Sequence, residues 1–100
     1  MTDSPDGYWL PAGFSQREIA AALKTYRWDS DISREQMAYE LGLEQKAYYR
    51  IENGRDPITP PRRLWMALHV LKIPMDTFIA ELERRRGEGR KQSSNVNDVL

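Results

Sequence analysis

The sequence predicts an all-α domain of five helices, with an irregular N-terminal arm and a flexible C-terminal tail. Three observations lead there. Ser15 with Glu18, and Ser33 with Gln36, have the spacing of capping boxes, in which each side chain satisfies a backbone N–H at a helix start. Apolar residues recur at helical spacing behind these starts. Gly42, Asn53-Gly54 and Ile73-Pro74 then supply stop signals at short intervals.

Taken in order, residues 1–14 form the arm. Pro5, Gly7, Pro11 and Gly13 argue against regular structure, while Tyr8, Trp9, Leu10 and Phe14 need something to pack on, either the domain's own core or a second subunit. The domain proper is expected over residues 15–86. Helix 1 is read as Gln16–Trp28, with Ile19, Ala22, Leu23 and Tyr26 as its apolar stripe. Helix 2 is read as Arg34–Leu41, striped by Met37, Ala38 and Leu41, and it ends at Gly42 because glycine takes the left-handed conformation cheaply. Helix 3 runs Gln45–Glu52 and stops at Asn53-Gly54. Helix 4 spans Pro61–Lys72, with Thr59 as its cap and Leu64, Trp65, Leu68 and Leu71 apolar. Helix 5 spans Met75–Arg86 around Phe78, Ile79 and Leu82. Residues 87–100, GEGRKQSSNVNDVL, carry two glycines and little to bury, so a mostly disordered tail is expected. Val96, Val99 and Leu100 are its only means of docking on a partner.

One hundred residues suffice for one small domain and not two. The absence of cysteine excludes disulfides, thiolate metal sites and cysteine nucleophiles. The start MTDSPDGYWLPAG has no basic region followed by an apolar run, and no apolar stretch approaches the roughly 18 residues of a membrane span. A cytoplasmic protein is expected. His69 is the sole histidine, Glu81 and Glu83 point to different sides of a helix, and no phosphate loop or metal-ligand spacing is present. No enzyme activity, metal or cofactor is expected.

The formal net charge is zero, which argues mildly against nucleic acid, because phosphate neutralisation drives such binding. The distribution is uneven, however. Residues 1–31 carry Arg17, Lys24 and Arg27 against Asp3, Asp6, Glu18, Asp29 and Asp31. Residues 81–91 carry Arg84, Arg85, Arg86, Arg90 and Lys91 against Glu81, Glu83 and Glu88. A zero total can therefore hide a basic face.

Helices 2 and 3, joined by a glycine-containing turn, form a helix-turn-helix pattern. The stretch ISREQMAYELGLEQKAYYRIENGRDP resembles the helix-turn-helix of the lambda-repressor/Cro-like regulators, the XRE family. Ile32-Ser33, Ala38, Leu41-Gly42, Ile51-Glu52-Asn53-Gly54 and Pro57 stand where that family has its hydrophobic-Ser start, alanine, Leu-Gly, Ile-Glu-Asn-Gly and downstream proline. Leu64 to Leu82 is similar to its last two helices, so the resemblance covers about Ile19 to Leu82. It implies a sequence-specific regulator of transcription that binds double-stranded DNA, commonly as a homodimer on a near-palindromic site.

The residues themselves suit that role. With Leu41, Leu43, Tyr48 and Ile51 inward, helix 3 presents Gln45, Lys46, Tyr49 and, partly, Ala47 and Arg50. Gln pairs with adenine, Lys and Arg with guanine, and Ala or a Tyr ring edge meets a thymine methyl. Gln45, Lys46, Tyr49 and Arg50 are the candidate base readers. Arg34, standing where the family commonly has glutamine, and Arg55, matching a phosphate-clamping residue, are candidate backbone contacts. Arg62, with Arg63, either assists them or is solvated surface. Glu44 replaces the family's Ser or Thr cap and serves either as a capping acid or as an acceptor from cytosine. Tyr48 stands where Ile or Val is usual and needs a partner for its hydroxyl. The run Arg84–Arg86 is read as a solvated helix end, with flanking DNA as the alternative. Trp65, Phe78, Ile79 and Leu82 exceed the expected core and suggest a dimer seam. Neutral charge, Glu44 and these aromatics also motivate a rival reading: an antitoxin-like or accessory module that keeps the fold but binds a protein partner.

Overall fold

The computed structural model describes residues 7–99, with side chains as far as residue 87. Five helices make up its regular structure, α1 (Gln16–Asp29), α2 (Arg34–Leu41), α3 (Gln45–Glu52), α4 (Arg62–Leu71) and α5 (Met75–Val99), and no strand occurs among the described residues. Helices α2 and α3 have the bounds expected from sequence, and α1 extends one residue further.

The punctuation explains these bounds. Ser15 and Glu18 close both halves of a capping box, at 3.1 and 2.9 Å. At α2 only half forms. Ser33 Oγ accepts from Gln36 N at 3.0 Å, but the Gln36 amide donates to Glu40 instead, at 2.7 Å. Gly42, at φ 69°, reverses the chain so that Leu43 N–H reaches the Ala38 carbonyl at 2.9 Å.

Two expectations are corrected. Thr59 does not cap α4. Pro61 holds the cap position, and its carbonyl accepts from Leu64 and Trp65 N–H while that of Pro60 accepts from Arg63. A proline without an N–H suits a helix start, where that donor is an orphan in any case. Helix α5 does not stop at Arg86, since its backbone continues to Val99. Gly87 and Gly89 each cost about 1 kcal/mol of helix propensity but retain their N–H groups, so they weaken a helix without breaking it. The docking expectation for Val96, Val99 and Leu100 lies outside the described side chains and residues.

Helix α2 packs on α3 and α4, and α1 on α3 and α5. Ala22, Leu23, Met37, Ala38, Tyr48, Leu64, Ala67, Phe78 and Leu82 are fully or almost fully buried where these helices meet. Phe78 and Leu82, counted in the sequence reading among four apolar residues in excess of the core, lie inside it, with Trp65 and Ile79 packed against it. The arm also packs inward. Trp65 Nε1 donates to the Trp9 carbonyl at 2.8 Å, and the two indoles meet edge to face at 5.3 Å.

One polar cluster lies inside this core. Glu52, at the end of α3, accepts from Arg27 Nε at 2.6 Å, from Arg27 Nη2 at 3.0 Å and from the Tyr48 hydroxyl at 2.8 Å. Arg27 Nη1 donates to the Ile32 carbonyl at 2.7 Å, so one guanidinium joins α1, the α1–α2 loop and α3. No buried side-chain nitrogen or oxygen lacks a partner among the described residues. Burial, with the Glu52 charge beside it, pushes the Tyr48 hydroxyl far above its ordinary pKa, and the same carboxylate raises that of Arg27.

Gly54 completes the attachment. Its φ is 78°, and a Cβ placed there would meet Arg17 Cα at 3.2 Å. At the same N-terminal end of α1, Arg86 clamps Glu18 and reaches the Gly13 carbonyl, with its guanidinium 4.6 Å from the Phe14 ring centre.

Three stability predictions follow from these contacts. Glu52→Ala strands Arg27 inside the core and lowers unfolding free energy in urea by about 3–5 kcal/mol. Gly54→Ala costs at least about 1–2 kcal/mol from the left-handed backbone, with the approach of Arg17 adding to that loss; both variants are read from denaturation midpoints. The Glu18 carboxyl is held below the ordinary range chiefly by the bond from Arg86. A depressed carboxyl stabilises fully above its ordinary value of about 4.3, and the stabilisation is lost as pH falls through the folded value. Melting temperature against pH is expected to fall less steeply on the acid side in Glu18→Gln than in the parent.

Candidate nucleic-acid interface

Helix α3 is attached to the body by Tyr48, Ile51 and Glu52, all buried. The remaining positions must then face outward. Gln45, Lys46 and Arg50 are exposed, while Ala47 and Tyr49 are half-buried. The division matches the sequence reading at Gln45, Lys46 and Ala47, whereas Arg50 is more exposed and Tyr49 more buried than expected. Gln45 and Tyr49 lie four residues apart and share one face.

The side chains on this face are held to different degrees. Gln45 and Lys46 make no hydrogen bond or ion pair with any described residue. Arg50 pairs with Asp56 at 3.0 Å in the open, a pair of little net strength. Tyr49 is fixed from both sides. Its hydroxyl donates to Glu35 Oε2 at 2.8 Å, and the Arg34 guanidinium lies 4.3 Å from its ring centre. That hydroxyl bond is the main reason the Glu35 carboxyl sits below, and the Tyr49 hydroxyl above, its ordinary pKa. Glu35 therefore stays ionised and accepting at neutral pH.

The other candidates fall around this helix. Glu44 holds the α3 cap position, but its carboxylate makes no capping bond, so the expected capping-acid role is reduced to a charge near the helix start. Arg34 opens α2 and meets α3 at the Tyr49 ring. Arg55 follows the Gly54 turn, with its N–H bonded to the Arg50 carbonyl at 2.9 Å, and its side chain is exposed. Arg62 starts α4, exposed and without a measured contact to the other candidates, whereas its neighbour Arg63 donates to the Thr59 carbonyl at 2.6 Å. Arg55 and Arg62, like Lys46, have no side-chain partner among the described residues.

The run Arg84–Arg86 is structural. Arg84 and Arg85 pair with Glu81, Arg85 also reaches Thr25, and Arg86 binds Glu18. Sequence reasoning missed Glu35, which it never singled out, and the pairing of Arg27 with Glu52. The four-residue spacing of Tyr48 and Glu52 was an available signal only for the bond within α3 between those two residues. Neither pairing across helices had one.

No group of histidine and carboxylate side chains able to hold a metal occurs among the described residues. No helix of the described residues is long and apolar enough to cross a membrane.

Comparison with known proteins agrees with this geometry. The clp gene regulator ClgR from Corynebacterium glutamicum superposes with a TM-score of 0.73 at 17% identity, over 87% of this chain and 92% of that one. A second structure of that regulator gives 0.63 at 19% identity, over 73% and 92%. A point mutant of the restriction-modification controller protein C.Esp1396I gives 0.67 at 20% identity, over 76% and 97%. No curated protein is significantly similar in sequence. The family model described as a helix-turn-helix domain matches residues 12–74, which takes in the arm's end and the first four helices. The chain thus belongs to the helix-turn-helix family of DNA-binding regulators.

Proposed function

We propose that this protein is a sequence-specific DNA-binding regulator of transcription, a repressor that binds a near-palindromic operator as a homodimer. The observation that supports this best is the outer face of α3, where Gln45 and Lys46 are exposed and bonded to nothing else among the described residues. Side chains without intramolecular partners near the start of a second helix are placed to meet base edges in a major groove. Arg34, Arg55 and Arg62 serve the phosphates and set register, while Gln45, Lys46, Tyr49 and Arg50 read bases. Two copies would present two such helices about 34 Å apart, on successive major-groove faces. Repression follows from occupying a promoter. The similar structures, a clp gene regulator and a restriction-modification controller protein, support the regulatory part of the reading.

A second reading rests on exposed apolar side chains. Tyr39 is 79% exposed and Met66 42%, and Met66 lines an open groove of about 380 Å³ with Tyr8, Trp65, His69, Val70 and Glu40. Such a surface suits an accessory module that binds a protein.

Selection of bound duplexes from a random library, at about physiological salt because affinity depends on it, separates the two readings. An enriched inverted repeat is expected. A folded protein that enriches nothing would favour the protein-binding module. On the enriched site, Lys46→Ala is expected to cost about 1–3 kcal/mol and relax preference at one base pair. Arg55→Ala is expected to weaken all sequences alike and to lower the slope of log affinity against log salt by about 1, as loss of one phosphate contact requires. Titrations at several salt concentrations check both.

A further inference from the structure

Resting on the DNA-binding reading above, we propose that Glu35 is a specificity-determining positioning residue: by accepting the Tyr49 hydroxyl hydrogen it turns Tyr49 into an acceptor-only reader, which selects a base that presents an exocyclic amino group in the major groove, adenine or cytosine. Glu35 lies in the first turn of α2 and Tyr49 on the outer face of α3, and the bond between them is 2.8 Å. A free tyrosine hydroxyl both donates and accepts. On a major-groove edge it tolerates the N7 and O6 acceptors of guanine, the O4 of thymine, and the amino groups of adenine and cytosine alike. An ionised glutamate only accepts, so it engages the single hydroxyl hydrogen. What remains toward solvent is oxygen lone pairs, which pair with the amino hydrogens of adenine N6 or cytosine N4 and meet the acceptors of guanine and thymine unfavourably.

Arg34 makes the device directional. Its guanidinium covers the Tyr49 ring 4.3 Å from the centre, so the ring is held by a cation on one side and by a bond at its tip. The hydroxyl cannot swing to a second base without giving up both contacts. Glu35 needs no contact with DNA of its own.

A carboxylate near DNA also repels phosphate, so its removal strengthens binding to every duplex together. That uniform effect does not alter base preference at a single position, and the test reads preference. The parent, Glu35→Ala, Tyr49→Phe and the double variant are each put through the same duplex selection, with circular dichroism confirming the fold. Glu35 is exposed, and Tyr49→Phe keeps the ring that is half-buried against the core, so the variants are expected to fold. In the parent, one position per half-site should favour adenine or cytosine by roughly tenfold, the range of one base-pair mismatch. In Glu35→Ala that preference should fall toward parity, with guanine or thymine newly accepted there, while other positions keep theirs. Tyr49→Phe should lose it too, and the double variant should match Tyr49→Phe, since Glu35 acts only through the hydroxyl. Identical base preferences in the parent and Glu35→Ala, on a site the parent does enrich, would overturn the role of Glu35 and leave the DNA-binding reading standing. Failure of the parent to enrich any site would remove that reading, and the role of Glu35 with it.

Discussion

The placement of α3 depends on the ion pair between Arg27 and Glu52. Two charges removed from water cost several kcal/mol each, and only excellent geometry offsets that. Here the guanidinium offers two donors to one carboxylate and a third to the Ile32 carbonyl, while the Tyr48 hydroxyl supplies the carboxylate with another bond. A pair satisfied this fully has one orientation, because a displaced α3 would strand charge in the core. Gly54 adds a steric condition at the same end, where its backbone comes within van der Waals range of Arg17. The C-terminal end of α3 is thereby fixed from inside, and its N-terminal end projects without cross-links of its own.

The same economy accounts for the neutral total charge. Glu18, Glu52 and Glu81 are taken up by Arg86, Arg27, and Arg84 with Arg85. These acids and bases brace the fold and leave little net field. Lys46, Arg55 and Arg62, by contrast, are not neutralised by any bonded partner among the described residues. Glu35, Glu44 and Asp56 temper that basic character, so the face is moderately rather than strongly positive. A face of this kind gains less from phosphate neutralisation and must rely more on matched contacts to bases.

Much of this was legible in the sequence, for a local reason. The limits of α2 and α3 follow from Ser33, Gly42 and Asn53-Gly54, each acting on its own neighbours. The outward placement of Gln45 and Lys46 follows from helical period once Tyr48 and Ile51 are inward. Tyr48 announced its need for a hydrogen-bond partner. What stayed hidden required the packing angle between helices. Arg27 reads as a surface charge until α3 is laid across α1, bringing in Glu52 from 25 residues away. Glu35 reads as a first-turn acid until Tyr49 arrives from 14 residues away. Thr59 failed as a cap because two prolines follow it and the helix begins at the second. The end of α5 was misjudged because glycine weakens a helix without stopping it.

If α3 reads bases as proposed, these constraints divide its outer face into two halves with different costs of binding. Tyr49 is already ordered by Glu35 and Arg34, and Arg50 is partly ordered by Asp56. Gln45 and Lys46 keep their rotamers free, and immobilising a long side chain costs about 0.5–1.5 kcal/mol. A duplex that matches only Gln45 and Lys46 must meet that cost from its own contacts. A duplex that also matches Tyr49 gains from a group already in place. The preorganised half therefore sets which base is rejected, because a fixed ring cannot adjust to a wrong one. The free half sets how many related sites are accepted, because long side chains can reach for alternatives. Discrimination on this helix is thus concentrated where the fold has already fixed the side chain.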